Sequence, residues 1–177
     1  DMADNAIKDS LKEINEKNKE LMMKANKYEE ELNIDPKSNL YNKKYITKQL
    51  NQEFKRSKRS SRPFSVAILK VDGIDKINDR YGNLINNNKI LHKISEILSE
   101  TVRGSDLLGR IAHNTFLIIL PEIIEKYTIK VIKRISNRIK NVEFNAQKLF
   151  PTIGFIILDE YRLNKIESVN EVYSILE

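Results

Sequence analysis

Few residues in this chain could carry chemistry, and most of them are charged. The 177 residues include two histidines and no cysteine, against 31 Lys and Arg and 25 Asp and Glu, for a net charge of +6. Without cysteine there is no disulfide, no thiolate metal site and no thiol nucleophile. That fits a reducing compartment, and a cytoplasmic location is expected. His113 sits alone between two apolar runs, and His92 lies too far along the pattern to pair with it. A lone histidine in a turn is more often a surface group than a metal ligand or general acid. The cations form two clusters, Lys55, Arg56, Lys58, Arg59 and Arg62, then Lys130, Lys133, Arg134, Arg138 and Lys140. The first could touch nucleic acid or an acidic partner, but solvated helix ends account for it better. No aromatic residues interleave with these charges, so a platform for single-stranded nucleic acid is not expected. Anionic nucleotides remain plausible ligands.

The elements that must position these groups follow from periodicity. Asp106 to Glu122 reads as strand, tight turn and strand, with Leu107, Leu108 and Ile111 before the turn and Phe116 to Leu120 after it. Pro121 ends the second strand. The turn itself, Ala112-His113-Asn114-Thr115, has no carboxylate and no glycine. Residues 4–33 read as one long helix in which Ile7, Leu11, Ile14, Asn18, Leu21, Ala25, Tyr28 and Leu32 recur at alternating spacings of four and three. That seam predicts a dimeric coiled coil rather than a lone amphipathic helix. Asn18 falls at an a position, where asparagine specifies a parallel, in-register dimer, and Lys24 and Glu29 fall at flanking positions that pair across it. Asp35-Pro36 ends this helix.

Downstream, helices are predicted over 43–57, 75–81, 86–102 and 125–140, and strands over 64–71, 142–149 and 152–158. The order β-α-β-β-α-β gives an α+β, ferredoxin-like domain with an antiparallel central sheet and helices on one face. The expected division is a coiled-coil helix over 1–34 and a domain over 35–177. At 40% hydrophobic and 32% charged, one core is affordable. No run approaches the roughly 18 apolar residues of a membrane span, and there is no secretory leader pattern. Low glycine with abundant Lys, Asn and Ile suggests an AT-rich bacterial genome.

Five blocks, in order, resemble the GGDEF family of diguanylate cyclases. Asp35 to Asn42 is similar to its D-x-L-T-G-L-Y-N opening, and Val71 to Gly82 to its D-I-D-x-F-K-x-I-N-D-x-Y-G block. Arg103-Gly104-Ser105-Asp106 fits R-x-S-D. Arg110-Ile111 and Phe116 to Pro121 flank the turn that the family writes Gly-Gly-Asp/Glu-Glu-Phe, and Thr152-Ile153-Gly154 resembles S-I-G. The resemblance covers about residues 35 to 160 and implies a GGDEF, nucleotidyl-cyclase-like fold. It implies a sensor domain upstream of the long helix. It also implies a closing helix reading A-D-x-A-L-Y. This chain is expected to stop before that helix, leaving the end of the domain missing.

Such a cyclase joins two GTP molecules using divalent ions held by carboxylates. The resemblance puts Lys70 at one carboxylate position and Asn114 and Thr115 at the other. A lysine ammonium only donates and repels a cation. Asp72 remains, but is expected to project away from the face of residue 70. Ala112 and His113 replace the glycines that let phosphates approach the backbone. The guanine-reading positions fall on Asn78, which is kept, and Asn87, a neutral acceptor. The expectation is therefore a degenerate domain that is not an enzyme, with no metal and no cofactor.

Arg103 and Asp106 match the family's inhibitory R-x-x-D site, and ungapped counting puts its further arginine at Arg134. Such a site resembles a sensor of cyclic di-GMP, with an arginine fork for acceptors and a carboxylate for donors. Asp106 as a structural cap and Arg103 as a solvated helix end is the competing reading. The expected function is a cyclic di-GMP receptor dimerised by its coiled coil. The alternative is a ligand-independent dimerisation and protein-interaction scaffold, docking a partner such as a cyclase, phosphodiesterase or kinase. Weak GTP sensing at Asn78 and Asn87 is a third reading.

Overall fold

A computed structural model of the chain describes residues 2–74, 84–144 and 147–176. It divides into two compact units, Asp1–Ile34 and Asp35–Glu177. The first unit is helix α1, Met2–Asn33. Ile7, Leu11, Ile14, Leu21, Tyr28 and Leu32 are each more than half exposed along it. Lys24 pairs with Glu20 at 2.7 Å, one turn away on its own helix. Both ends of that pair are exposed, so it contributes little. The side chain of Glu29, expected to meet Lys24 across a dimer, lies outside the described residues.

In the second unit, a short strand β1 (Tyr41–Asn42) runs into helix α2 (Lys43–Ser60). Asn42 caps the helix, its side chain accepting from the Tyr45 amide at 2.9 Å. Ser61, in the left-handed region at φ 52°, ends it. The helix runs one turn past the expected Ser57, because Lys58 and Arg59 favour helix and nothing stops it earlier. Strand β2 (Phe64–Asp72) follows, then helix α3 (Leu84–Thr101). The expected helix over 75–81 falls outside the described residues. The hairpin is β3 (Leu107–Ala112) and β4 (Thr115–Pro121), followed by helix α4 (Glu125–Lys140).

The single strand expected over 142–149 is instead a small antiparallel pair, β5 (Glu143–Phe144) and β6 (Gln147–Lys148). Strand β7 (Phe150–Leu158) closes the main sheet, whose order is β1-β3-β4-β2-β7. Two helices then end the chain, α5 (Glu160–Lys165) and α6 (Val169–Leu176). No helix is predicted after residue 158, and the structure places these two there. The Asp159 side chain caps α5 through the Arg162 amide at 2.9 Å, and Val169 and Val172 are buried in α6. The spacing of Val169, Val172 and Leu176 is one helical face and was readable in the sequence.

Strand β2 pairs antiparallel with β4 on one side and β7 on the other. Its side chains alternate between two cores. Ala67, Leu69 and Val71 pack with α3 and α4 residues such as Ile94 and Ile135. Phe64 and Val66 pack with Ile46 and Leu50 of α2 and Val172 of α6. Helices therefore cover both faces, not one. The cause lies in the strands: β2 and β4 are apolar in both alternations, and such strands need cover on each side. No helix among the described residues is long and apolar enough to cross a membrane.

Candidate functional site

The hairpin turn is organised by Arg110. Its side chain is 8% exposed. Nε and Nη2 donate to the His113 carbonyl at 3.2 and 2.8 Å, and Nη1 donates to Asp35 at 3.1 Å. A register shift between Arg110 and Ala112 forms a bulge there, which aims the turn. Asp35 also accepts from the Ser38 amide and hydroxyl at 2.8 and 2.7 Å. Burial pushes the Asp35 carboxyl up, but the Ser38 and Arg110 hydrogen bonds outweigh it and hold the group below its ordinary value. One guanidinium thus ties the loop after α1 to the hairpin turn.

Lys70 and Asp72 end β2 beside this turn. The expectation that Asp72 faces away from residue 70 is corrected. Strand side chains repeat every second residue, so 70 and 72 share a face. Lys70 Nζ stands 4.0 Å from Asp72 Oδ1. Asn114 Nδ2 donates to the same carboxylate at 3.3 Å, and Thr115 Oγ1 donates to the Asn114 side-chain oxygen at 3.2 Å. Ala112, His113, Asn114 and Thr115 all lie at this end of the sheet. Asn78 lies outside the described residues, as does the side chain of Asn87.

Arg103 and Asp106 lie elsewhere, just after α3, and Arg134 of α4 reaches the end of that helix at Thr101. Asp106 Oδ2 accepts from the Arg103 backbone amide at 2.7 Å. Burial of Asp106 raises its carboxyl above the ordinary value, although the Arg103 amide and charge pull it down. Arg134 donates to the Thr101 carbonyl, and Arg138 reaches Thr101 Oγ1 at 3.1 Å and pairs with Glu100. The Arg103 guanidinium stands 5.9 Å and Lys130 Nζ 5.7 Å from the exposed ring of Tyr127. Sequence reasoning missed Tyr127 here. It read the basic run of α4 as without interleaved aromatics, although Tyr127 lies three residues before Lys130, one turn away.

The family profile described as "Diguanylate cyclase, GGDEF domain" matches residues 32–167. The chain belongs to the GGDEF domain family. Escherichia coli K12 diguanylate cyclase DosC is 30% identical over 116 residues, which cover 66% of this chain and 25% of that protein. This chain thus spans about a quarter of the length of that relative. The structure of the coiled coil and GGDEF domain of Caulobacter crescentus DgcB in complex with c-di-GMP superposes with a TM-score of 0.81 at 14% identity, covering 95% of this chain and 88% of that one. The S helix-GGDEF-EAL structure of Vibrio cholerae LapD, bound to c-di-GMP, gives a TM-score of 0.73 at 21% identity, covering 89% and 35%. At these identities the superpositions establish the GGDEF fold.

The expectation that this GGDEF domain is not an enzyme is corrected by these relatives, which are named diguanylate cyclases. Its structural premise also weakens, since Asp72 stands at the turn and not on the far side. Among the described residues no group of three or more His, Cys, Asp or Glu is placed to hold a metal ion. A carboxylate already facing an ammonium does not fit the divalent pair that the family resemblance implies. That misfit is no argument against turnover.

Proposed function

We propose that this GGDEF domain binds cyclic di-GMP at the Arg103, Asp106 and Arg134 corner and is held as a dimer by α1. The observation that carries the reading is the convergence of two arginines, a carboxylate and an exposed tyrosine ring on one small surface. The arginine fork suits phosphate and guanine acceptors. Asp106 uses Oδ2 internally, which leaves Oδ1 to accept from guanine N–H donors. Tyr127 offers a face for stacking a planar base. Arg134, now on the Thr101 carbonyl, completes the cationic wall. A ligand that bridges two such corners selects one arrangement of domains, which is how binding becomes a signal. The fold's other members in complex with c-di-GMP support the choice of ligand. The placement in the cytoplasm belongs to this reading.

Calorimetric titration of the dimer with cyclic di-GMP tests it. Micromolar or tighter binding is expected, and Arg103→Ala should weaken it at least about tenfold, since charge-assisted hydrogen bonds contribute about 1.5–3 kcal/mol each. Binding should also weaken on acidification. Protonated Asp106 loses the charge that strengthens its acceptance from guanine N–H groups, and burial, which raises its carboxyl, brings that weakening to a higher pH than an ordinary aspartate would. An unchanged affinity in Arg103→Ala would remove this site from consideration. No heat at all would leave the ligand-independent dimerisation and interaction module as the working account.

The dimer has its own test. Leu11→Lys with Leu21→Lys places charges in the exposed α1 seam and should convert dimer to monomer in sedimentation velocity. Asn18→Leu should strengthen association and loosen the choice of register. A wild-type chain that sediments as a monomer at tens of micromolar would refute the seam.

A further inference from the structure

A cavity of about 620 Å³ lies between α2, α6 and the hairpin end of the sheet. It shares no residue with the Arg103 corner. We propose that it is a metal-independent binding site for a small phosphomonoester with a compact apolar body, with Lys43 and Lys70 as its cations.

The sheet builds one side of the site. Lys70 is in register with Thr115 on β4 and with Thr152 on β7. All three line the cavity, so a hydroxyl, an ammonium and a hydroxyl stand in a row across three strands. One step further in, Ile68 and Gly154 are register partners and form an apolar floor. The helices build the walls. Lys43 and Thr47 come from α2, Tyr173 and Leu176 from α6. Thr47 Oγ1 and the Tyr173 hydroxyl are 3.4 Å apart across the gap. Gly154 lets α6 come this close, since a Cβ there would stand 3.2 Å from the Leu176 carbonyl.

The chemistry of the lining selects the ligand class. Among the described lining residues there are two ammonium groups, four hydroxyls and no carboxylate. Among the described residues, Asp72 is the carboxylate paired with Lys70, at 4.0 Å, and both side chains are more than half exposed. Such a pair holds a lysine weakly, so its ammonium is available to a ligand. A dianionic phosphomonoester matches two ammonium charges and gives the hydroxyls oxygen acceptors. A triphosphate would exceed the positive charge by a wide margin and need added cations. The ammonium of Lys70 supplies the counter-charge from the protein itself. The floor and Leu176 take an apolar or planar body, and the volume is in the range of about 300–1,000 Å³ usual for small-molecule pockets.

Phenyl phosphate is the probe, titrated into the whole chain by NMR or calorimetry in the presence of EDTA. Submillimolar binding is expected, with inorganic phosphate at least about tenfold weaker for want of a body. Lys70→Met and Lys43→Met should each weaken phenyl phosphate about tenfold or more. Lys55→Met, an exposed lysine further along α2, should leave it unchanged. Lys70 is exposed, so an unchanged thermal midpoint in Lys70→Met will separate lost binding from lost folding. The proposal is overturned by no binding in EDTA, by binding that requires Mg²⁺, or by equal affinity for inorganic phosphate. It is also overturned if binding survives both lysine changes or falls only in Arg103→Ala. Failure of cyclic di-GMP binding leaves it standing, because the two sites are read with different ligands and different variants.

Discussion

Arg110→Ala is expected to lower the stability of the domain by about 2–3 kcal/mol, read as a shifted urea midpoint with unchanged slope. Removing one partner of a buried ion pair costs about 3–5 kcal/mol. Asp35 keeps 22% of its side chain exposed, so the lower figure applies. The loss has two parts. Asp35 keeps its Ser38 bonds but loses its cation, and the His113 carbonyl loses both guanidinium donors. Arg110→Lys should recover little, because one ammonium cannot serve the carboxylate and the carbonyl with the geometry of a planar fork. The difference between wild type and variant should also depend on pH. Asp35 is held below its ordinary value in the folded state, so its contribution is present above the unfolded value of about 3.9. That contribution disappears as pH falls through the lower folded value. The gap between the two proteins should therefore shrink on acidification. A gap that stays constant down to pH 2 would mean that Arg110 acts through the His113 carbonyl and packing, and not through the Asp35 charge.

Gly109→Val is the second large effect. A Cβ at residue 109 would stand 2.5 Å from Ile46 Cβ and 2.6 and 2.7 Å from its branches. Ile46 is fully buried, so it cannot swing aside. Overpacking of a filled core costs about 1–3 kcal/mol and sometimes more, and this contact lies at the upper end, because α2 itself must lift off β3. Gly104 is the control, since a Cβ there meets nothing within 4 Å. Gly104→Ala should leave the thermal midpoint nearly unchanged, whereas Gly109→Val should depress it by several degrees. Ile46→Ala in the Gly109→Val background removes the two branches but keeps the Cβ at 2.5 Å, so it should restore little of the loss.

These two positions show what the sequence could and could not reveal. The apolar runs of β2 and β4 and the stripe of Ile132, Ile135 and Ile139 predicted the right elements, because burial imposes their periods. The same runs concealed that both faces are covered. The stripes of α2 and α6, Ile46, Leu50 and Phe54 and then Val169 and Val172, mark a face of each helix but not the face of the sheet it covers. Arg110 was noticed only as a neighbour of the turn. Its bonds to Asp35 and His113 join residues far apart in the chain, and no local spacing encodes that. Asp72 is a different kind of miss, since the period of a strand alone puts residues 70 and 72 on one face. Arg103, Asp106 and Arg134 were singled out only through the resemblance to the family's R-x-x-D site. The cavity was not, because Lys43, Thr152 and Tyr173 meet only once the sheet and both helices are assembled.

The central place of β2 has a consequence for how the chain is made. Its two partners are β4 and β7, and β7 is the last strand in sequence. On a ribosome adding about 5–20 residues per second, one full edge of an apolar strand waits on the order of ten seconds for its partner to emerge. An uncovered edge of that length invites pairing with other chains. The charges of Lys70 and Asp72 at the far end of the strand disfavour such pairing where the strand is otherwise most open. Nascent chains stalled before Phe150 should therefore aggregate or recruit chaperones. Full-length chains, in which α5 and α6 also cover the second face, should do neither.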